Sequence, residues 1–494
     1  MLKQEEVFQR ICAEYSGFVI IQLVGNLPAP DVDTLQDYAR RQKLTGLLAV
    51  LEKYQLETRR AIHSLSVPEI LELERRAAAN RNKKKFWNFH PSSKFSLPSL
   101  TRFWELDARK LGGKFDELLK DLNKLTEVDF AYKEQAVSDA ADVDPFDEDF
   151  FTEQGYLKPA AEGGIDVGFA WQFTKGAGVA FADLERGWYP QHQDLKTITP
   201  TFYGGTNRED ADNHGTSVLG VVAANDNTFG VVGIAPGVTS VKLTSSYHSA
   251  GASHSKVANA LAAVLPSLAA GDVLLIEVQK SLKPVECELL DFIAIRNATD
   301  SDIIVIEVAG NGGFDLDGAE SQVVEVDKGV TRVRSLNRGA ANFMDSGAIL
   351  VGACHSAFLA DGRHRRLNLT GSGPKSNFGS RVDCYAWGEN IATTATRIGE
   401  LGASPDAPTP ADSKSRYTNS FGGTSGAAAI IAGVALLLQS RYQDKNGGTR
   451  LLNFETPLRD MRTILSTRGT ASPDPVGVMP DLKRIFMEIG LDIV

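Results

Sequence analysis

A serine stands directly before a run of small apolar residues in the segment FGGTSGAAAI, residues 421–430. This run predicts a buried helix, and Ser425 would lie in its first turn. Backbone N–H groups are unpaired there and the helix dipole favours negative charge, so a serine hydroxyl could attack a carbonyl carbon if a base accepted its proton. A lone G-T-S triplet is more often a helix cap, so other parts of the chain must supply the remaining groups of such a site.

Three further polar residues have the required types. His214 lies in DNHGTSVLGVVAA, at the start of a second helix of small residues, and could act as the base. Asp183 ends the strand GVAFAD and could fix the tautomer of the histidine. Asn311 follows the strand IIVIEVAG within AGNGG, where glycines allow a substrate backbone to approach an oxyanion donor. Each residue alone has an ordinary structural explanation, but the four together indicate an acyl-transfer site with Ser425 as the nucleophile.

The elements that would position these residues alternate between strands and helices from about Tyr156 onward. Continuously apolar strands are expected where a parallel sheet is buried on both faces. Such strands are GVAFAD, DVLLIEV, IIVIEVAG and AILVGAC. Helices rich in small residues lie between them, so residues 156–494 predict an α/β fold with a doubly wound, mostly parallel sheet. Sites in such sheets form beyond the C-terminal ends of the strands.

Residues 1–137 predict a small α+β unit with a helical insertion, separate from this sheet. Its predicted strands are SGFVIIQLV, LTRFWELDARK and VDFAYKEQAV. Its predicted helices are DVDTLQDYARRQKLTGLLAVLEKY, SVPEILELERRAAA and KFDELLKDLNKL, and the second of them begins with a capping box of Ser66 and Glu69. Residues 138–155 are acidic and lack periodicity, so we expect an exposed linker between the two units.

The composition of the 494-residue chain is that of a globular protein with two or three domains. The net charge of −10 argues against general nucleic-acid binding, and the basic and aromatic segment RNKKKFWNFH, residues 81–90, is better explained as a solvated helix end. Four scattered cysteines are too few for a disulfide framework and predict buried free thiols. The apolar run of residues 18–23 is too short for a signal peptide or a membrane span, so we expect a chain that is cytoplasmic as synthesised, or exported by a route that the sequence does not reveal.

In combination, the motifs resemble those of the subtilisin-like serine proteases. The segments GVAFADLERGWYPQHQDL, NHGTSVLGVVAA, VAGNGG and FGGTSGAAAIIAGVALLL look like the aspartate, histidine, oxyanion-asparagine and serine motifs of that family. The order Asp183, His214, Ser425 is the subtilisin order, and the resemblance extends over roughly residues 155–494. It implies a subtilisin-like fold and a serine endopeptidase that acts on protein or peptide substrates.

Two departures from the family pattern affect the expected site. The aspartate motif of the family continues with Thr-Gly, whereas Leu184 and Glu185 follow Asp183 here, so the support of the aspartate must differ. The segment LLIEVQKS carries Glu277 and Gln279 where the family usually has serine and glycine, which leaves the substrate preference open.

The resemblance implies two further features. Residues 1–137 look like an inhibitory propeptide that assists folding and lays its C-terminal tail in the active-site cleft, so the protein would be made as a self-inhibited proenzyme; an unrelated interaction domain is the alternative. The family has a calcium site, and Asp194 of HQDL and Asn227 of NDNTFGVVG occupy the matching positions. Calcium (Ca2+) takes six to eight oxygen ligands, so these two side chains could equally be turn residues.

Two other functions are compatible with the motifs. One is a transpeptidase or macrocyclase on the same fold, in which an amine rather than water resolves the acyl-enzyme. The other is a catalytically silent binding protein, against which the presence of Asp183, His214, Asn311 and Ser425 together argues. We expect neither a nucleic-acid nor a membrane partner.

Overall fold

The computed structural model describes most of the chain. The described residues are 15–83, 98–135, 137–139, 150–195, 198–227, 229–247, 256–318, 323–327, 330–371, 373–396 and 415–492. Cys12, most of the basic segment 81–90 and the larger part of the acidic segment 138–155 lie outside them. Cys354 and Cys384 are buried free thiols, as predicted, and Cys287 is free and half-buried.

An antiparallel sheet of four strands forms the N-terminal unit. The strands are β1 (Tyr15–Leu23), β2 (Glu57–Arg60), β3 (Phe103–Asp107) and β4 (Val128–Gln135), in the order β2-β3-β1-β4. The helices of this unit are α1 (Leu35–Arg41), α2 (Thr45–Tyr54), α3 (Val67–Lys83) and α4 (Phe115–Asn123). Alternation along β1 sends Val19 and Ile21 into a core with α1, α2 and α4, and sends Ile20 to the opposite face.

Two of the predicted helix boundaries can be compared with the structure. The segment expected as one helix is divided into α1 and α2, and Lys43 between them adopts the left-handed region with φ of +58°. One bond of the predicted capping box at the start of α3 is present, because the N–H of Ser66 donates to the carboxylate of Glu69 at 2.8 Å.

The remaining strands follow along the chain. They are β5 (Val137–Asp139), β6 (Ala180–Glu185), β7 (Thr201–Gly204), β8 (Ser240–Ser245), β9 (Val273–Ile276), β10 (Val278–Lys280), β11 (Ile304–Val308), β12 (Val323–Asp327), β13 (Val330–Arg334), β14 (Ile349–Phe358), β15 (His364–Arg366), β16 (Cys384–Trp387), β17 (Ile391–Ala395), β18 (Arg416–Phe421), β19 (Gly469–Ala471) and β20 (Val478–Pro480). A ten-stranded sheet has the order β19-β20-β16-β14-β11-β9-β6-β8-β7, with β15 beside β14. Its ladders are parallel except for β14–β15 and β19–β20, so the prediction of a mostly parallel sheet is confirmed.

Helices cover both faces of this sheet. They are α5 (Phe150–Glu153), α6 (Val167–Ala170), α7 (Asp212–Ala223), α8 (Val257–Val264), α9 (Leu289–Asp300), α10 (Gly423–Lys445), α11 (Met461–Thr467) and α12 (Leu482–Glu488). Helices α7 and α10 share a core with Phe181 and Leu275, whereas α8 and α9 share one with Ala182 and Leu274. Helix α10 is long and apolar enough to cross a membrane, but its apolar part is entirely buried within the protein, as in a core helix.

The N-terminal unit packs against α8 and α9. Phe103 and Phe130 belong to the same hydrophobic cluster as the buried side chains of these helices. Lys256, just before α8, forms ion pairs with Glu105 and Glu134, and all three side chains are buried. Separating the two units would remove both carboxylate partners of the buried Lys256, so this cluster favours a fixed arrangement of the two units.

The segment that follows β4 runs onto the larger unit as a strand. β5 forms an antiparallel ladder with β10, in which Val137 lies opposite Lys280 and Asp139 lies opposite Val278. The expected boundary at residue 137 therefore lies inside a paired strand.

Phe150 and Gln154, which we expected in an exposed linker, are packed on the larger unit. Phe150 is buried, and its ring stacks on that of Tyr417 with centroids 4.7 Å apart. The side chain of Gln154 donates to the carbonyl of Val232 and accepts from its N–H. The expected exposure is therefore wrong for Phe150 and Gln154, which contact residues that are distant in the sequence, whereas Glu153 is exposed.

Candidate active site

Ser425 is the third residue of α10, as predicted from the small apolar residues that follow it. Its side chain is buried, and its Oγ has full hydrogen-bond geometry with none of the described residues. Gly423 adopts the left-handed region with φ of +67°, and a Cβ on Gly422 would lie 2.3 Å from the carbonyl oxygen of Gly388. Both glycines before Ser425 are therefore needed for the chain to enter α10 at this angle.

Asn311 follows β11 and contacts the first turn of α10. Its Oδ1 accepts hydrogen bonds from the N–H of Thr424 at 3.0 Å and from the hydroxyl of Thr424 at 3.2 Å. Its own N–H donates to the side chain of Gln279 at 2.8 Å. Because Thr424 engages Oδ1, the amide Nδ2 of Asn311 remains to donate to a negative charge that develops beside Ser425.

His214 is the third residue of α7, and the carboxylate bonded to its Nδ1 is that of Glu185. The ring of His214 is buried and meets the ring of Phe421 edge to face, with centroids 5.5 Å apart. Our expectation that Asp183 holds the histidine is not what the structure shows. Asp183 instead accepts a hydrogen bond from Nε1 of Trp188 at 2.7 Å.

Side-chain alternation along β6 explains this correction. Asp183 and Glu185 are two residues apart, so they point to the same face of the sheet, which is the face that α7 and α10 cover. Glu185 is the last residue of β6 and lies at the edge of the sheet where His214 enters α7. The strand pattern alone predicts a carboxylate on this face but does not choose between the two.

One signal in the sequence could have identified Glu185. The family motif places a glycine two residues after its carboxylate, and Gly187 stands at that distance from Glu185. A Cβ on Gly187 would lie 2.2 Å from the carbonyl oxygen of Arg208, so glycine is required at this position. Read from Glu185, the motif regains its glycine, but Arg186 stands where the family has threonine.

Three carboxyl groups are buried around His214, namely those of Asp183, Glu185 and Glu277. Burial raises the pKa of each carboxyl well above its usual range, and repulsion between the groups raises the pKa of Asp183 and Glu277 further. The hydrogen bond from Trp188 lowers the pKa of Asp183, and the hydrogen bond from the N–H of Arg186 lowers that of Glu185. The three groups therefore resist simultaneous ionisation.

Glu277 lies between Glu185, His214 and Ser425. A ring nitrogen of His214 and one carboxylate oxygen each of Glu185 and Glu277 all lie within 4.8 Å of one another. No second such group of three His, Cys, Asp or Glu side chains occurs in the described part of the chain. The hydroxyl of Ser425 is near enough to lower the pKa of Glu277, although the two groups fall short of full hydrogen-bond geometry.

The tail strand β5 reaches this site along β10. Glu277 directly precedes β10, and Asp139 at the end of β5 is paired with Val278, the residue after Glu277. An extended chain that pairs with β10 in this direction approaches Ser425 with its C-terminal end. β10 can thus hold an extended peptide beside the nucleophile through backbone hydrogen bonds.

Asp194 and Asn227 are in contact, as the predicted calcium site requires. Nδ2 of Asn227 donates to Oδ1 of Asp194 at 2.7 Å, and the N–H of Val231 donates to Oδ2 at 2.9 Å. Burial raises the pKa of Asp194 to about 7, and no lysine or arginine in the described ranges forms an ion pair with it. A buried carboxylate without a cationic partner fits a calcium ligand, and a rotated Asn227 amide could add a second oxygen. The same contacts also close a turn.

Comparison with known proteins identifies the family of the chain. Residues 176–471 match the profile of the Subtilase family. The calcium-dependent protease of Nostoc sp. is 27% identical over 328 residues, which are 59% of this chain and 44% of that protein. Subtilisin DY of Bacillus licheniformis is 41% identical over 70 residues, which are 14% of this chain and 26% of that protein. The chain thus matches less than half the length of these relatives.

One solved structure resembles almost the whole chain. It is the crystal structure of fervidolysin from Fervidobacterium pennivorans, a keratinolytic enzyme related to subtilisin. The TM-score is 0.57 at 15% identity, and the match covers 96% of this chain and 61% of fervidolysin. This likeness shows that the fold is subtilisin-like.

Proposed function

The chain belongs to the subtilase family, and from the geometry of its site we propose that it is a serine endopeptidase with a Ser425–His214–Glu185 triad. The observation that carries the proposal is the carboxylate of Glu185 on Nδ1 of His214, at the edge of the sheet where α7 and α10 begin. A carboxylate in this position fixes the tautomer in which Nε2 can accept a proton.

Each step of the proposed reaction uses a group of this site. Ser425 Oγ attacks the peptide carbonyl carbon and gives its proton to His214. The oxyanion that forms accepts hydrogen bonds from Nδ2 of Asn311 and from the N–H of Ser425, and Glu185 stabilises the imidazolium. His214 then gives the proton to the leaving amine, and water resolves the acyl-enzyme by the same route in reverse.

A labelling and cleavage experiment tests this function. Wild-type protein should react with a fluorophosphonate probe and should cut peptides of a mixed library, whereas Ser425→Ala should do neither while keeping its melting temperature. Mass spectrometry of the products separates hydrolysis from transfer to an amine, which a transpeptidase or macrocyclase would give. Labelling and cleavage that persist in Ser425→Ala would refute the assignment of the nucleophile.

We further propose that the N-terminal unit inhibits the enzyme in its unprocessed form. Support comes from the ladder between β5 and β10, because it occupies the strand on which an extended substrate would bind beside Ser425. The buried ion pairs of Lys256 with Glu105 and Glu134 would hold the inhibitor in place after a cut in the chain that follows β5. An interaction domain without inhibitory action is the alternative.

We also propose that a calcium ion binds at Asp194 and Asn227. The names of two curated relatives, both calcium-dependent proteases, favour it at low identity. When bound, the ion would supply charge compensation for the buried carboxylate of Asp194 and would tie the loop of Asn227 to it. Its role would be in stability rather than in the reaction.

A further inference from the structure

Glu277 is a buried acid for which the proposed triad has no use. Its side chain is fully buried, and neither of its carboxylate oxygens has full hydrogen-bond geometry with any residue that the structure describes. A buried carboxyl group that only supported the fold would be expected to have such a partner, because an unpaired one costs free energy. Glu277 also stands where the family usually has a serine.

The surroundings of Glu277 connect it to the reacting atoms. From β6 it faces Asp183 and Glu185, from α7 it faces His214, and from α10 it faces the hydroxyl of Ser425. None of the described lysine or arginine side chains forms an ion pair with it. The carboxyl group therefore lies beside both the nucleophile and its base, in a pocket of acidic groups.

We propose that Glu277 is a second proton acceptor for Ser425, beside His214. This inference rests on the proposed peptidase function. In the step concerned, the O–H bond of Ser425 breaks as its oxygen forms a bond to the peptide carbonyl carbon, and the proton forms an O–H bond with the Glu277 carboxylate. The proton then passes to the nitrogen of the leaving amine as the C–N bond breaks, so the carboxylate is regenerated.

The pair of Glu277 and His214 can take up two protons and keeps one acceptor while it holds a single proton. When His214 is protonated and Glu277 is not, the carboxylate is the group that can deprotonate Ser425. When Glu277 is protonated and His214 is not, the imidazole acts. Burial and the neighbouring carboxylates raise the pKa of Glu277, so Glu277 holds the first proton and its carboxylate accepts the proton of Ser425 only above that raised pKa.

The pH dependence of kcat/KM tests this inference. Glu277→Gln keeps the shape of the side chain but cannot accept the proton, and Glu277→Ser restores the residue that is usual in the family. In a His214→Ala background, the remaining turnover should rise with pH as Glu277 ionises, with a midpoint above the usual range of a carboxyl group, and either substitution should abolish this rise. Glu307→Gln is the matched control, because Glu307 is an equally buried glutamate on β11 that accepts the N–H of Glu286 and lies outside the site.

A second measurement does not depend on the pH profile. His214→Ala should retain turnover about 10²-fold above that of Ser425→Ala, because Glu277 still accepts the proton. The double variant His214→Ala, Glu277→Gln should lose that remainder. Thermal melts of each variant identify any loss of folding, and the serine variant of Glu277 replaces the glutamine variant if the latter does not fold.

The outcomes separate the inference from the function on which it rests. If wild-type protein cleaves peptides but neither Glu277 substitution changes the pH profile of the turnover that remains in His214→Ala, the inference is overturned and the function stands. Turnover of His214→Ala at the level of Ser425→Ala would likewise overturn it. If wild-type protein neither cleaves peptides nor reacts with the fluorophosphonate probe, the proposed function itself has failed.

Discussion

Replacing Glu185 and Asp183 separately tests which carboxylate serves His214. Glu185→Gln keeps the length of the side chain but can place an NH2 group against Nδ1 of His214. The ring would then carry its proton on Nε2, the nitrogen that should accept the proton of Ser425. Asp183→Asn keeps an oxygen that can accept the Nε1–H of Trp188, so the only contact with full geometry that Asp183 makes among the described side chains survives.

The two substitutions should differ greatly in their effect on kcat. Loss of the correct tautomer in a Ser-His-Asp triad lowers kcat by about 10⁴-fold, which corresponds to about 5.4 kcal/mol at 1.36 kcal/mol for each factor of ten. We expect this loss for Glu185→Gln, because Glu185 makes the contact with Nδ1. For Asp183→Asn we expect a change of less than about tenfold, or about 1.4 kcal/mol.

The assay is cleavage of a fluorogenic peptide at saturating substrate, with thermal melting to confirm folding and active-site titration to count competent enzyme. KM should change little in either variant, since the strand on which an extended substrate would bind is β10, and both carboxylates belong to β6. The reasoning is refuted if Asp183→Asn loses about 10⁴-fold and Glu185→Gln less than about tenfold, because the histidine would then be held by the other carboxylate.

The remaining predictions concern the oxyanion, calcium and the N-terminal unit. Asn311→Ala should lower kcat by about 10²–10³-fold with little change in KM, and a change in KM alone would point to ground-state binding instead. Excess chelator should lower the melting temperature of wild-type protein but not of Asp194→Asn, and equal melting curves with and without chelator would remove the calcium site. Self-cleavage should fall in the few residues after Asp139, as mapped by mass spectrometry, and separately expressed residues 1–139 should inhibit the processed enzyme. No inhibition at micromolar concentration would favour an interaction domain.

The sequence predicts best those features that depend on near neighbours. The run of small residues after Ser425 and after His214 is enough to place each at the start of a buried helix, because close packing against a sheet requires such residues over several turns. The apolar strands likewise predict a sheet covered on both faces. The hydrogen bond between Ser66 and Glu69 can be predicted from the sequence for the same reason, since its two partners are three residues apart.

Features that depend on distant contacts could not be predicted from the sequence in the same way. Phe150 lies in an acidic segment, and only its contact with Tyr417 brings it into the core. The choice between Asp183 and Glu185 is a further case, because both lie on one face of one strand. The position of α7 across the sheet decides between them, and the alternation along β6 does not contain that position. The spacing between Glu185 and Gly187 is the local signal that points to Glu185.

The three buried acids also explain why the site cannot be treated as a triad alone. Glu185 has a contact that favours its charge, since His214 lies on one oxygen and the N–H of Arg186 donates to the other. Asp183 and Glu277 have weaker support, and the charge of Glu185 raises the pKa of both. Removing one acid should therefore lower the pKa of the others, so the effects on activity of substitutions at these three positions should not be additive. Asp183→Asn should accordingly favour the ionised form of Glu277, the form that can accept the proton of Ser425, although Asp183 touches no reacting atom.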